Sequence, residues 1–467
     1  NIIPKFLNWI MVYIYTRVFN EKEYGIITEL YTYASIINVM LTLGMETTLF
    51  RFASSKNEKE IKKYYNNIFT TVLAISLIFL ITCIYNSNKI SEFLKYKGKN
   101  EYIIIFSIIL FIDAISAIPF AYLRLKNKVK KLKKIKITNI IIYISINILL
   151  IFIIPKMYFL GLKYKVNVNI VFVSNLIASV INLILLFQEI KIINLKLEKN
   201  ILKIILNYSL PLLITQIRGI LNDGIARILI KVLIKDTEKS LYYLGIYGAN
   251  IKLALIIFLF TQAFRYAYEP FVFKKAEEKN SKEVYAEIMK IYLFISLVFY
   301  IFVNIYIDYF KYIEGQNFWI GLNIVPIVMI SYILSGISFN LSIWYKLTNK
   351  TYYGIIITVI GIIIKSIINI LFIKKYTYIA CAWSNVISYL VMIFISYFLE
   401  KKYYKINYDI KNILKAIAIA FIMIIIYNIT KNVLNNKIIK EIIKISIIII
   451  YVIFMLKELK KYIKNEN

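Results

Sequence analysis

The sequence predicts an all-α, polytopic membrane protein with about fourteen transmembrane helices. Three observations carry that prediction. Of 467 residues, 60% are hydrophobic, where a soluble domain has about 45–50%, and the mean hydropathy is +0.69. The apolar residues gather in runs of roughly 20, the length at which one helix crosses the hydrocarbon core. Period-2 alternation is sustained nowhere, which excludes an outer-membrane barrel.

Charged or Gly/Asn-containing breaks bound each run. The first six runs are Ile2–Phe19, Ile26–Leu49, Ile68–Tyr85, Tyr102–Leu123, Ile137–Tyr158 and Val166–Phe187. The next six are Ile204–Ile230, Leu241–Tyr268, Ile288–Phe310, Phe318–Tyr345, Gly354–Ile373 and Tyr378–Leu399. Two more follow at Ile410–Ile429 and Ile438–Met455. The expected domains are an N-terminal six-helix lobe over 1–190, a second over 203–400, and two additional helices with a tail over 408–467.

Alternate breaks carry unequal positive charge, about 33 Lys and Arg after even helices and in the tail against about 18 after odd helices. The densest block, Arg124–Lys136, holds eight basic residues and no acid. The positive-inside rule puts both termini and the even breaks in the cytoplasm. The expected location is the bacterial inner membrane. Much of the net charge of +32 then sets topology and meets anionic headgroups rather than nucleic acid. The chain starts at Asn1 rather than Met, so a short preceding piece is expected, and Pro4–Phe19 lacks the small-residue cleavage site of a signal peptide.

The longest break is roughly 20 residues, so no soluble ATPase, glycosyltransferase or periplasmic catalytic module is inserted. The chain has no histidine, which removes His-based acid–base chemistry and His metal ligation. Its two cysteines, Cys83 and Cys381, form no metal or disulfide pattern. No cofactor, no metal and no enzymatic chemistry are expected.

The six-helix blocks read as repeats. Pro4 and Pro211 lie near the starts of helices 1 and 7. Gly25 and Gly245 open helices 2 and 8, which end in Arg51 and Arg265. Proline-interrupted repeats are typical of transporters with a substrate site between the repeats.

The segments RVFNEKEYG (Arg17–Gly25) and LGMETTLFR (Leu43–Arg51) resemble the start of bacterial polysaccharide and O-antigen flippases. These oligosaccharide flippases, including lipopolysaccharide biosynthesis proteins, belong to the multidrug/oligosaccharidyl-lipid/polysaccharide transporter superfamily. YSLP (Tyr208–Pro211), GIYGANIK (Gly245–Lys252), AFRYAYEPF (Ala263–Phe271), NLSIWYKLTNKTYYG (Asn340–Gly354) and ACAWS (Ala380–Ser384) are similar to the same family. The resemblance implies two six-helix lobes around a central cavity plus two C-terminal helices, alternating access, and a lipid-linked oligosaccharide as cargo. Many relatives carry Asp-Arg in helix 7, where this chain has Ala226-Arg227, with Asp223 one turn earlier.

A charge at the bilayer centre costs about 2.5–3.5 kcal/mol, so central charges mark pairing, a wet cavity or function. Asp113, Arg218, Asp223, Lys252 and Lys365 lie well inside their runs. Asp223 and Arg227 share a helix face. Cations on the cavity, Arg218, Lys252 and Lys365 among them, would bind a pyrophosphate; the alternative is acid–base pairing that holds the bundle together. Arg17, Arg51 and Arg265 lie near helix ends, where snorkelling is the default; the family resemblance implies that they belong to the cationic cavity. Glu46 is a candidate partner of Arg51.

The function expected is translocation of a polyprenyl-pyrophosphate-linked oligosaccharide by alternating access for cell-surface polysaccharide or lipopolysaccharide synthesis. The partners are that lipid-linked sugar, membrane lipids and a coupling cation, Na+ or H+, with no nucleic acid. Two alternatives are a cation-coupled multidrug exporter of the same superfamily and a membrane polysaccharide polymerase or ligase. The exporters carry an acid in helix 1, and Ile2–Phe19 has none. The enzymes need a large external loop.

Overall fold

A computed structural model describes the backbone of residues 2–54, 56–96, 98–156, 166–433 and 436–463. Within these it describes every side chain except those of 2–8, 156, 215, 218, 222, 223 and 460–463. The described residues contain no strand.

Helix α1 (Ile2–Val18) is followed by Asn20, whose side chain accepts from the Glu23 amide at 2.9 Å while the Glu23 carboxylate accepts from the Asn20 amide at 3.0 Å. This capping box starts α2 (Glu21–Thr42). The run expected as one helix to Leu49 breaks at Leu43 and Gly44, both left-handed with φ of 49° and 68°, and resumes as α3 (Met45–Ala53). Asn57 caps α4 (Glu58–Tyr85) through the Glu60 amide, so the helix begins ten residues before its apolar run. Next come α5 (Ser87–Phe93), α6 (Asn100–Leu125) and α7 (Val129–Ile148), the last continuing as a π-helical segment Leu149–Ile153. Helices α8 (Asn169–Leu185), α9 (Phe187–Lys191), α10 (Lys199–Leu233) and α11 (Thr237–Leu253) follow.

The remaining helices are α12 (Leu255–Lys275), α13 (Ser281–Ile305), α14 (Ile307–Phe310), α15 (Val325–Leu341) and α16 (Ile343–Leu347). The chain ends with α17 (Tyr352–Tyr403), α18 (Ile410–Val433) and α19 (Lys437–Ile463). Among the described residues nine helices are long and apolar enough to cross a membrane. The pair α11–α12, bent by 56°, makes a tenth. At 52 residues α17 is two helices meeting at Thr377, where φ is 50°, between the runs expected for helices 11 and 12. Helices α1, α8 and α19 occupy three further expected spans. The protein is a multi-pass membrane protein, and its outer faces suit lipid: Ile78, Ile81, Leu371 and Phe394 are 60–66% exposed.

The chain divides into two units, Ile3–Gly245 and Ile246–Asn467, with the boundary inside α11. The first unit packs Leu41, Met45, Tyr65, Val72, Leu110 and Ile118 into its core, and the Tyr65 hydroxyl donates to the Glu189 carbonyl at 3.0 Å. Here α2 and the start of α11 cross backbone to backbone. A Cβ on Gly25 would fall 2.0 Å from the Leu241 carbonyl oxygen, and one on Gly245 would fall 1.8 Å from that of Glu21. Each glycine thus faces the residue four positions before the other. The contact is reciprocal, like an isologous interface, and relates the two glycines that open the expected helices 2 and 8.

In the second unit the Tyr292 hydroxyl shares a hydrogen bond with Thr261 at 2.9 Å and fills the space beside Gly336, where a Cβ would meet it at 1.9 Å. Helix α13 also carries the last helices, through Tyr300 against Phe421 and a 2.8 Å ion pair from buried Lys290 to Asp409 before α18. Glu314, between α14 and α15, is 1% exposed, and neither carboxylate oxygen has a hydrogen-bond partner among the described residues. Burial pushes its carboxyl well above the usual carboxylate range.

Replacing Gly25 or Gly245 by Leu is expected to lower the thermal midpoint in detergent by roughly 5–10 °C. Gly219→Ala, whose Cβ would meet no atom within 4 Å, should be neutral or slightly stabilising. Equal midpoints for the two kinds of variant would refute the crossing. A second expectation concerns Glu314. Its raised folded pKa makes its contribution complete below the unfolded value of about 4.3 and lost as the pH rises through the folded value. Midpoints measured from about pH 5 to about pH 8 should fall less for Glu314→Gln than for the parent; parallel curves would exclude titration of this group.

Candidate functional site

In the first unit, Arg17 ends α1 and is exposed, with its guanidinium bonded to the Tyr13 carbonyl at 2.9 Å and stacked 3.6 Å from the Tyr13 ring centroid. Arg51 ends α3 and is exposed. Glu46 pairs with Arg124 at the end of α6 rather than with Arg51, because five residues of helix turn Glu46 and Arg51 onto different faces. The side chains of Arg218 and Asp223 lie outside the described residues. Arg227 is half-buried on α10, and its Nε has no hydrogen-bond partner among the described residues.

In the second unit, Lys252 is exposed in the last turn of α11. The sequence placed it deep inside one continuous span. The break at Ala254 instead puts it at a helix C-terminus, where the dipole favours a cation. Arg265 on α12 is exposed and stacks 4.5 Å from the Phe339 ring centroid. Lys365 is buried on α17, 2% exposed. The six candidate cations are therefore split evenly, with Arg17, Arg51 and Arg218 in one unit and Lys252, Arg265 and Lys365 in the other.

The units repeat one local arrangement. In the first, Arg124 from the end of α6 pairs with Glu46 and lies 5.5 Å from the Phe50 ring. In the second, Lys346 on α16 pairs with Glu269 at 2.5 Å and lies 4.8 Å from the Phe339 ring. Each cation ends its lobe's fourth expected helix, and each carboxylate comes from the second.

Asp113 sits in a polar network that the sequence did not resolve. Its carboxylate accepts from the Ser179 hydroxyl of α8 at 2.8 Å. Nearby, Asn175 donates to the Tyr31 hydroxyl at 3.0 Å, and Tyr15 donates to Asn147 at 2.7 Å beside Tyr143. The network links α1, α2, α6, α7 and α8. Among the described residues no group of three or more His, Cys, Asp or Glu side chains could hold a metal ion.

Sequence reasoning missed a second cluster altogether. Glu29 of α2, 2% exposed, forms a 3.0 Å ion pair with Lys231 in the last turn of α10. The Tyr96 hydroxyl, from the turn before α6, donates to the same carboxylate oxygen, and its ring lies 4.8 Å below the Lys231 ammonium. Both charges fall at the ends of apolar runs, where a charge reads as headgroup-level. Their burial arises only when three chain segments meet.

The polysaccharide biosynthesis protein family matches residues 14–313. No curated protein matches the chain. Among solved structures, the chain is similar to one of the lipid II flippase MurJ in an inward closed conformation, at TM-score 0.75 and 17% identity over 98% of both chains. It is also similar to an inward-facing multidrug resistance MATE family transporter of the MOP superfamily, at TM-score 0.61 and 14% identity, covering 86% of this chain and 95% of that one. A structure of MATE in complex with MaL6 gives TM-score 0.54 at 15% identity, over 86% and 94%. These likenesses, all below 25% identity, describe the fold. With well over half of its length matched, the chain belongs to the polysaccharide biosynthesis protein family.

Proposed function

We propose that this protein is a flippase that moves a polyprenyl-pyrophosphate-linked oligosaccharide across the bacterial inner membrane by alternating access. The observation that carries this reading is the family match over residues 14–313 in a chain whose fold resembles a lipid II flippase over 98% of its length. The multidrug transporters share the superfamily fold over 86% of the chain. In this cycle lobes 1–190 and 203–400 rock while 408–467 stays appended, and both termini face the cytoplasm.

Two phosphate charges crossing a low-dielectric region need compensating cations, and Arg offers a planar fork to phosphate oxygens. Arg17, Arg51, Arg218, Lys252, Arg265 and Lys365 are assigned that task. The exposure of Arg17, Arg51, Lys252 and Arg265 supports it for these four, since a cation that receives an anionic head group has to be reachable; Lys365, buried in this structure, would have to be uncovered during the cycle. The polyprenyl tail stays in lipid. Asp113, inside its hydroxyl and amide network, is the group assigned to a coupling Na+ or H+. The Glu29–Lys231–Tyr96 cluster joins the ends of α2 and α10 that the charge pattern assigns to the external side, and it acts there as a latch that opens once per cycle.

Two tests follow. In proteoliposomes supplied with lipid-linked oligosaccharide, Arg218→Ala and Lys252→Ala should each reduce flipping roughly tenfold or more with insertion intact. Lys252→Arg should keep more activity than Arg218→Lys. Full transport by both alanine variants, or export of cationic drugs in place of lipid-linked sugar, would overturn the assignment. For the latch, Glu29→Leu or Lys231→Met alone leaves a buried unpaired charge and should cost about 3–5 kcal/mol of stability. The double variant should recover most of that while transporting slowly. Additive losses in the two single variants would show that the charges are not coupled.

A further inference from the structure

We infer that the exposed face of α7 is a binding site for an anionic phospholipid, with Lys130, Lys133 and Lys134 on its headgroup and the isoleucine stripe above them on its acyl chains.

The cations of the Arg124–Lys136 block divide into two sets. One set is matched within the fold: Arg124 pairs with Glu46, Lys126 with Glu58, and Lys131 with Glu189 at 2.7 Å. Lys136 lies 5.4 Å from the Phe120 ring. The other set, Lys128, Lys130, Lys133 and Lys134, is exposed, and none of these has a carboxylate within 4.0 Å among the described residues. The matched set docks the block on α3, α4 and α9, and the unmatched set projects outward.

Three of the unmatched lysines share one stripe of α7. Positions 130, 133, 134, 137, 141, 145 and 148 recur at three- and four-residue spacing and are all exposed. Like charges at that spacing repel one another on an isolated helix, so the cluster favours a bound anion. Beyond Lys134 the stripe turns apolar: Ile137, Ile141 and Ile148 are 38%, 55% and 39% exposed. Phe152 follows in the π-helical segment and is 42% exposed. At 1.5 Å per residue the distance from Lys134 to Ile148 is about 21 Å, close to one leaflet with its headgroup layer. A phosphate-bearing headgroup joined to two hydrocarbon chains has this profile, with negative charge at the lysine level and apolar length above it. A soluble phosphate would meet only the lysines and leave the stripe without a role, so the occupant is a lipid.

The purified protein would be exchanged into detergent micelles doped with phosphatidylglycerol or with phosphatidylcholine, and retained lipid would be counted by native mass spectrometry. The parent should retain phosphatidylglycerol preferentially. K130Q/K133Q/K134Q should lose that preference by roughly tenfold. K130R/K133R/K134R, which keeps the charge, should retain it, and this variant also guards against misfolding of the first. A control that removes three exposed lysines elsewhere, K59Q/K62Q/K89Q, should behave as the parent. Equal retention by the parent and K130Q/K133Q/K134Q, or an equal loss in the control, would overturn the site.

Discussion

Hydrocarbon supplies no hydrogen bonds, and that one constraint decides how this chain is built. Every backbone amide in the bilayer must be paired within its own segment, so among the described residues the apolar runs are built of helix, broken only at short turns. Polar side chains in the spans obey the same rule by bonding back to carbonyls one turn earlier. Thr16 reaches the Val12 carbonyl at 2.7 Å, Ser174 that of Ile170 at 2.7 Å, and Ser296 that of Tyr292 at 2.8 Å. Charges cannot be served so locally. They are met by partners on other helices, as Glu29 is by Lys231 and Tyr96, or sit where a helix stops, as Lys252 does.

Helix breaks acquire a purpose in that setting. An interrupted span frees backbone groups only where protein or water can meet them, and α2–α3 and α11–α12 are two such pairs. Both occupy the second position of their six-helix block. In both blocks, a glutamate of the second helix pairs with a cation at the end of the fourth, and a phenylalanine ring lies beside that cation, Phe50 from the second helix in one and Phe339 from the fourth in the other.

The fold was legible because hydropathy reports burial in lipid directly, and each of the fourteen expected runs overlaps helix among the described residues. The helix ends were less so. Helix α4 starts at Glu58 because Asn57 caps it, a signal that sits among charges rather than in the apolar run. The break after Leu43 had a glycine to announce it, whereas Ala254 offers no such cue. At the site, mid-span charges such as Asp113 stood out through their cost. Partnerships did not: Glu46 chose Arg124 over the nearer Arg51, and the Glu29–Lys231 pair joins residues about 200 positions apart in a way that no periodicity encodes.

The crossing at Gly25 and Gly245 places two main chains in contact with no side chain between them. A side chain between helices can be exchanged for another of similar volume, and its neighbours can adjust. A missing one cannot, because there is no smaller residue to retreat to. The two glycines are therefore bound to a common fate: a methyl group acquired by either displaces both helices at once. Sequence change in one half of the chain is constrained by a position 220 residues away, and halves taken from two different relatives would join properly only if each brought its own glycine to this point.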